Sequence, residues 1–241
     1  MHLNKFIRYS CYFFGILFVF SCSNNSETII IEEEVIEELI DKKINMLSLG
    51  DSYTIGQSVC EKCRFPEQLA DSLRLKNNDF EFNVNVIATT GWTTRNLINA
   101  IDNSDLTTDF DLVTLLIGVN NQYQKLPFST FEEEFPMLIN KAINAVGLDK
   151  SKLIVLSIPD YAFTPFGNGS TTISQEIEKY NTHIKNFCES RTITFLNITD
   201  ITQQGLVNPI YVASDRLHPS KEAYTEFVKR LIPLATQKLG L

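Results

Sequence analysis

The sequence predicts an α/β domain built on a parallel sheet, and three observations support this prediction. Apolar, strand-like segments alternate with segments whose apolar residues recur every three or four positions, as they do in amphipathic helices. The third and fourth strand-like segments are almost continuously apolar, which is typical of strands covered on both faces. The chain has 241 residues, of which 44% are hydrophobic and 21% are charged. This composition suits one globular domain with a sizeable core.

Five strands and five helices are expected within one domain, residues 44–241. The strand-like segments are 44–49, 82–88, 112–117, 153–158 and 193–198. The helical segments are 65–75, 93–101, 131–146, 173–188 and 220–239. Pro233 predicts a kink in the last helix, and the acidic run 132–134 is expected to cap the third helix at its positive end. Strands and helices that alternate in this way predict a parallel sheet with helices on both faces.

The first 22 residues have the pattern of an export signal. Lys5 and Arg8 form a positively charged start, and the apolar stretch that follows is too short to span a bilayer comfortably. This stretch ends just before Cys22 and resembles a bacterial lipoprotein signal, in which that cysteine becomes lipidated. An ordinary signal peptide and a short anchor helix are the alternatives. We therefore expect an exported protein, anchored to a membrane through Cys22, with residues 23–43 as a spacer.

The charge of the chain bears on its partners. The formal net charge is -8, and no basic stripe is present that could neutralise phosphates. Nucleic acid is therefore not an expected partner. We expect a monomer whose partners are a small-molecule or carbohydrate ester and, through the lipid anchor, a membrane.

Polar residues follow four of the five expected strands, at the edge where a parallel sheet places its ligand site. These loops contain Gly50-Asp51-Ser52, Gly91, Gly118-Val119-Asn120 and Asp215-Arg216-Leu217-His218. A serine on a tight strand-to-helix turn exposes its hydroxyl while its own N–H points into the same space. Asp51-Ser52 alone would more often be a simple turn cap. The other residues at this edge favour Ser52 as a nucleophile.

Histidine supply narrows the choice of a general base. Of the three histidines, His2 is lost with the signal and His183 is expected on a helix, at a surface or boundary position. His218 lies in a loop at the sheet edge, three residues after Asp215. That spacing lets the Asp215 carboxylate accept from Nδ1 and leaves Nε2 to face a serine. A loop histidine beside a proline is ordinary by itself, but its coincidence with Ser52 favours the catalytic interpretation.

The four loop motifs together resemble the signatures of the SGNH/GDSL hydrolases, from about residue 44 to the end of the chain. The resemblance implies a flavodoxin-like, three-layer α/β/α fold with strand order 2-1-3-4-5. It also implies ester hydrolysis without a metal or organic cofactor. Ser52 would be the nucleophile, His218 the general base and acid, and Asp215 the residue that orients His218. The N–H groups of Ser52 and Gly91 and the side chain of Asn120 would form the oxyanion hole.

Two positions depart from the family's pattern. Asn121 stands where the family usually has aspartate, and Tyr53 stands where it usually has leucine. Neither position carries the proposed chemistry, so we expect both to affect specificity or packing.

The expected function is that of a serine esterase acting on carboxylic esters outside the cytoplasm. Carbohydrate acetyl esters and lysophospholipids are the favoured substrates, and a thioesterase is a further alternative. An acyltransferase that passes an acetyl group to a sugar would need the same triad. A non-catalytic, glycan-binding surface lipoprotein on a retained hydrolase scaffold is the rival from another class. The intact set of Ser52, Asn120, Asp215 and His218 argues against that rival.

Cysteines and aromatic residues near the expected site add smaller signals. Cys60 and Cys63 have the spacing of half a zinc site or a redox pair, but no second pair of ligands is evident. In an exported protein we expect a local disulfide, with two free thiols as the next alternative; Cys188 is expected in the core or at its boundary. Aromatic residues in loops after strands two to four are expected to line an acyl or sugar pocket or to fill the rim of the core. They are Trp92, Tyr123, Tyr161 and Phe163.

Overall fold

A five-stranded parallel sheet organises residues 42–241, the part of the chain that the computed structural model describes. Its order is β2-β1-β3-β4-β5, so the predicted fold class and strand order are confirmed. The strands are β1 (Lys43–Gly50), β2 (Glu81–Ala88), β3 (Leu112–Leu116), β4 (Leu153–Leu156) and β5 (Thr194–Leu196). The expected signal peptide, the lipidation of Cys22 and most of the spacer lie outside the described residues. The first strand begins at Lys43, one residue earlier than expected.

The register of the sheet brings the ends of three strands to one level. Gly50, the last residue of β1, pairs with Ala88 at the end of β2 and with Leu116 at the end of β3. All five residues of β3 and all four of β4 are buried, as their continuous apolar sequences predicted. The loops after β1, β2 and β3 therefore start side by side at the carboxyl edge, which is where the motifs lie.

Eight α-helices occur within residues 42–241. They are α1 (Ser52–Ile55), α2 (Phe65–Arg74), α3 (Thr94–Asp102), α4 (Val119–Tyr123), α5 (Phe128–Ala145), α6 (Thr171–Ser190), α7 (Thr199–Thr202) and α8 (Lys221–Leu239). The five long helices were predicted, with ends that differ by a few residues. The short helices α1, α4 and α7 were not, because four or five residues are too few for a helical period to show in the sequence.

Long helices pack in pairs, and their bounds bear on the predictions made for Pro233 and for the acidic run 132–134. Helix α2 packs on α8, and α3 packs on α5. Helix α8 continues through Pro233 to Leu239. The acidic run 132–134 does not cap α5, because the helix already begins at Phe128 and Glu134 is buried within it. Among residues 42–241, no helix combines the length and hydropathy that crossing a membrane requires.

Candidate active site

The turn after β1 presents Ser52 at the edge of the sheet. Ser52 is the first residue of α1 and is only 3% exposed. The side chain of Asp51 caps the helix by accepting from Tyr53 N at 3.0 Å. Gly50 makes the tight turn possible, because a Cβ there would lie 2.1 Å from Thr54 Oγ1 and 2.4 Å from the carbonyl oxygen of Leu116. A glycine at position 50 therefore lets the chain turn sharply after β1 and brings Ser52 to the edge of the sheet.

The loops after β2 and β3 bring Gly91 and Asn120 to the same place. Gly91 has φ +83°, and its missing Cβ would point into open space rather than into the protein. Asn120 is buried, and its Nδ2 donates to the carbonyl oxygen of Trp92 at 3.0 Å. The same nitrogen lies 3.5 Å from Asp51 Oδ2, which is long for a hydrogen bond. The two hydrogens of the amide therefore point to the Trp92 carbonyl and to Asp51, and the one on the longer contact, to Asp51, is the one that a ligand oxygen can take over.

The loop before α8 pairs His218 with Asp215. His218 Nδ1 lies 2.6 Å from Asp215 Oδ2. The other carboxylate oxygen accepts from the backbone N–H groups of Leu217 and His218, each at 3.0 Å. The aspartate thus holds both the imidazole and the loop that carries it. This is the geometry that the spacing of the two residues predicted.

A fourth donor to Asp215 was not foreseen from the sequence. Ser58 Oγ donates to Asp215 Oδ2 at 2.7 Å, although the two residues are 157 positions apart in the sequence. Partial burial raises the pKa of Asp215, but hydrogen bonds from Ser58, His218 and Leu217 outweigh it and lower that pKa to about 2. Asp215 is therefore a carboxylate at neutral pH. The positive φ of Ser58, +66°, marks an unusual turn, but no local sequence pattern names its partner.

Ser52, Gly91, Asn120 and His218 line one cavity of about 190 Å³. His218 is 7% exposed, so its ring faces this cavity rather than bulk solvent. Within residues 42–241, no hydrogen bond joins Ser52 Oγ to His218 Nε2. Contacts of this kind often tighten only when substrate is bound. All the residues that the sequence proposed for nucleophile, base and oxyanion donors thus share one cavity.

Asp51 stands beside this cavity in a very different environment from Asp215. Complete burial raises the pKa of Asp51 to about 7, although hydrogen bonds from Tyr53 N–H and the Asn120 amide favour its charged form. No sequence pattern distinguishes a buried carboxyl from an exposed one at a turn. Asp51, the residue before Ser52, therefore changes charge near neutral pH.

Tyr53, the first departure from the family's pattern, packs against the proposed base. Its ring centroid lies 5.0 Å from that of His218. Its carbonyl oxygen accepts from the hydroxyl of Tyr224 at 2.9 Å. Burial, with Asp51 nearby, raises the pKa of Tyr53 well above its usual range, so the ring stays neutral. The tyrosine at this position therefore helps to hold the imidazole of His218 in place.

Asn121, the second departure from the family's pattern, joins helix α4 to the start of helix α3. Its Oδ1 accepts from Thr94 N at 3.0 Å, and its Nδ2 donates to Thr94 Oγ1 at 2.6 Å. Thr94 Oγ1 in turn donates to buried Glu134, which also accepts from Arg95 Nε at 2.9 Å. A continuous polar network thus links the start of α3, helix α4 and helix α5. An amide suits this position because it can both donate and accept.

The three cysteines within residues 42–241 have the states that the sequence predicted. Cys60 and Cys63 form a disulfide in the segment between α1 and α2. The same segment contains Ser58, the donor to Asp215. Cys188 is buried with a free thiol, and burial raises the pKa of that thiol to about 12. His183 takes a half-buried boundary position on α6.

Fold and site together define a class of protein: a three-layer α/β/α domain that carries the residue set of a serine hydrolase at the carboxyl edge of its sheet. The sequence model of the GDSL-like lipase/acylhydrolase family matches residues 48–225. The chain belongs to the GDSL-like lipase/acylhydrolase family.

Several solved structures have a similar fold. An acetylxylan esterase from Geobacillus stearothermophilus is 18% identical, with a TM-score of 0.57 over 82% of this chain and 94% of its own. The psychrotrophic esterase EstA from a Pseudoalteromonas species is 15% identical, with a TM-score of 0.61 over 82% and 99%. A lipolytic protein of the G-D-S-L family from Veillonella parvula is 17% identical, with a TM-score of 0.61 over 80% and 99%. Among curated proteins, none has a significantly similar sequence.

Proposed function

We propose that this protein is a serine esterase that hydrolyses carboxylic esters through Ser52, His218 and Asp215. The observation that carries the proposal is the hydrogen-bonded pair of His218 and Asp215, 2.6 Å apart, on the cavity that Ser52 lines. A serine becomes a useful nucleophile only beside a base that can take its proton. The pair supplies that base and fixes its tautomer, since Nδ1 is held by the carboxylate and Nε2 is left for Ser52.

The reaction follows from these positions. Ser52 Oγ attacks the ester carbonyl carbon while its proton passes to His218 Nε2, and Asp215 stabilises the imidazolium that forms. The tetrahedral intermediate then expels the alcohol, which takes the proton from His218, and an acyl group remains on Ser52. A water molecule, deprotonated by His218, attacks the acyl carbon and releases the carboxylic acid. Each half of the reaction returns the proton, so serine and histidine end as they began.

The carbonyl oxygen becomes negatively charged in both steps. We assign its stabilisation to the N–H groups of Ser52 and Gly91 and to the second hydrogen of Asn120 Nδ2. The contact of Asn120 with the Trp92 carbonyl orients the amide before substrate arrives. Pre-oriented donors of this kind stabilise the transition state because no reorganisation is needed when charge develops.

The size of the cavity supports a short acyl group. Its volume of about 190 Å³ lies below the roughly 300 Å³ at which pockets for drug-sized ligands begin. An acetyl group fits such a space, whereas a fatty acyl chain would have to leave it. Of the two favoured substrate classes, the cavity therefore supports acetyl esters of carbohydrates over lysophospholipids. A similar fold in an acetylxylan esterase is consistent with that choice.

Two measurements test the proposal. Purified protein should hydrolyse p-nitrophenyl acetate and butyrate, with activity falling for longer acyl chains. A serine-directed phosphonate should inactivate it and, by peptide mass spectrometry, modify Ser52. Labelling of Ser157 or Ser214 instead, or full activity after Ser52 is labelled, would contradict the assignment.

We also propose that the protein is exported and anchored through a lipid on Cys22. The support is the pattern of charged start, short apolar stretch and cysteine in the first 22 residues. Mass spectrometry of protein extracted from membranes should find diacylglycerol on an amino-terminal Cys22. Replacing Cys22 by serine should release the protein from the membrane; recovery of the parent protein only in the soluble fraction would rule the anchor out.

A further inference from the structure

A second, larger space adjoins the catalytic cavity. This groove has a volume of about 700 Å³ and shares Tyr123, Tyr161 and Phe166 with the catalytic cavity. These three rings therefore border both the groove and the cavity that Ser52 lines. The acyl part of an ester fits the small cavity, so the groove is placed to receive the alcohol part.

The shared wall is aromatic and half exposed. Tyr123 and Phe166 are each 51% exposed, although both carry large apolar surfaces. The ring centroids of Tyr123, Tyr161 and Phe166 lie 6.0 to 6.3 Å apart, so the three form one cluster. Tyr161 is 5% exposed and anchors the cluster. Exposed rings that border a catalytic cavity offer flat apolar faces to a ligand.

The rest of the groove is polar and partly ordered. Gln122, only 7% exposed, accepts from the Tyr161 hydroxyl at 2.8 Å and donates to Glu176 Oε2 at 2.6 Å. These two hydrogen bonds connect the aromatic wall to helix α6, where Glu176 lines the groove. Lys179 lies on the same helix, with its ammonium 3.9 Å from the Phe128 ring centroid. The groove is therefore lined by hydrogen-bond acceptors and a cation beside the aromatic rings.

This combination matches one class of alcohol better than the others. A sugar ring has an apolar C–H face for the aromatic wall and hydroxyl groups for Glu176 and Gln122. A fatty chain would have to desolvate Glu176 and Lys179 without any compensating hydrogen bond, which is costly. A phosphate headgroup would meet the Glu176 carboxylate, and Lys179 is already engaged with a ring.

We propose that this groove binds the sugar ring of the alcohol part of an acetylated carbohydrate, a proposal that rests on the proposed ester hydrolysis at Ser52. Tyr123 and Phe166 hold the ring by its C–H face, and Glu176, fixed by Gln122, accepts from its hydroxyl groups. The groove then sets substrate preference, while the small cavity sets the acyl group.

The test compares two kinds of substrate on the same protein. Ethyl acetate has an alcohol too small to fill the groove, and a panel of acetylated methyl xylosides, methyl glucosides and xylo-oligosaccharides has sugar alcohols. The acetic acid released from both kinds of substrate is measured in a pH-stat. The parent is compared with Tyr123→Ala, Phe166→Ala and Glu176→Gln. In each variant, the ratio of kcat/KM for the best sugar acetate to kcat/KM for ethyl acetate should fall at least about fivefold, chiefly through KM.

Matched controls lie outside the groove. Leu75→Ala removes an exposed apolar side chain directly after α2, and Glu133→Gln changes an exposed glutamate on α5. Both should keep the parent's ratio. An unchanged ratio in the groove variants, or no sugar acetate turned over faster than ethyl acetate, overturns the proposal.

Two other outcomes also decide the matter. If the parent prefers p-nitrophenyl palmitate and Tyr123→Ala loses that preference, the groove holds an acyl chain and the proposal is wrong. If the parent hydrolyses no ester, ethyl acetate included, the proposed function itself fails, and the groove proposal falls with it. Turnover of ethyl acetate with an unchanged ratio rejects the groove alone.

Discussion

Two aspartates at the carboxyl edge of the sheet have opposite electrostatic environments. Asp51, in the turn after β1, is fully buried, and burial raises its pKa to about 7. Asp215, in the loop before α8, is partly buried, yet hydrogen bonds from Ser58, His218 and Leu217 lower its pKa to about 2. Both residues lie next to the proposed catalytic groups. The two pKa values differ because loss of water dominates at Asp51, whereas hydrogen-bond donors dominate at Asp215.

The contrast assigns separate tasks to the two carboxyl groups. Asp215 is charged throughout the neutral range and can stabilise an imidazolium on His218. Asp51 is on the border between its two forms at neutral pH, and its oxygen lies 3.5 Å from Asn120 Nδ2. A charged Asp51 would oppose negative charge on a substrate oxygen bound by the same amide. We therefore propose that Asp215 carries the catalytic charge, whereas Asp51 caps the turn that carries Ser52.

The largest effect is expected from removing the groups that Asp215 serves. Ser52→Ala and His218→Ala should each lower kcat/KM for p-nitrophenyl acetate by about 10⁴-fold or more, because the two act as one unit. The double variant should be no worse than either single variant. Ser151→Ala, at an exposed site, is the control, and circular dichroism checks that each variant folds. Appreciable activity in Ser52→Ala would contradict the role of Ser52 and with it the comparison of Asp51 with Asp215.

The comparison itself is tested by the same substitution at both aspartates. Asp215→Asn should lower kcat by about 10³-fold, since the charge that stabilises the imidazolium is gone while the base remains. Asp51→Asn should cost less than about tenfold, because an asparagine oxygen can still cap the turn. Steady-state kinetics on p-nitrophenyl acetate give both numbers. Equal losses at the two positions would mean that the carboxyl groups do not have separate tasks.

Removal of the oxyanion donor near Asp51 should have an intermediate effect. Asn120→Ala should lower kcat by about 10²-fold or more and leave KM nearly unchanged, because the donor is needed chiefly when charge develops. Asn121→Ala is the informative neighbour: it breaks the network to Thr94 and should lower the melting temperature instead. A change confined to KM in Asn120→Ala would contradict the role proposed for its amide.

A smaller effect should come from the donor that distinguishes Asp215. Ser58→Ala removes one hydrogen bond from a charged acceptor, so kcat should fall by up to about tenfold while KM changes little. Ser58→Thr keeps the hydroxyl and should restore most of the activity. NMR titration of ¹³C-labelled aspartate should show the pKa of Asp215 rising from about 2 toward its usual range. An unmoved pKa in Ser58→Ala would show that the serine does not tune this carboxylate.

The smallest expected effect is on stability and concerns Asp51. Its folded pKa, about 7, lies above the usual 3.8, so the folded protein holds this proton more tightly than the unfolded chain does. Stability from this group is complete below about pH 4 and is lost as pH rises through about 7. The melting temperature of Asp51→Asn relative to the parent should therefore rise by at least about 3 °C between pH 4.5 and pH 8. A difference that does not change with pH would mean that Asp51 is not held protonated.

The sequence by itself determined the fold class and the candidate residues of the site, and its resemblance to the SGNH/GDSL hydrolases implied the strand order. Hydrophobic periodicity is a local property, so the continuous apolar runs of β3 and β4 and the long helices could be recognised without a structure. Because a parallel sheet gathers the carboxyl ends of its strands at one edge, four separate loop motifs also predicted one site. The pairing of His218 with Asp215 followed in the same way, since it spans three residues.

Only the tertiary structure decided how that site is tuned. The hydrogen bond from Ser58 to Asp215 joins residues 157 positions apart, and the contact of Thr94 with Glu134 joins residues 40 apart. The raised pKa of Asp51 depends on the removal of water from every side. Such effects arise from the packing of distant segments and leave no periodic or local trace in a single sequence. The groove beside the catalytic cavity is of the same kind, because its walls come from α4, α6 and the loop after β4.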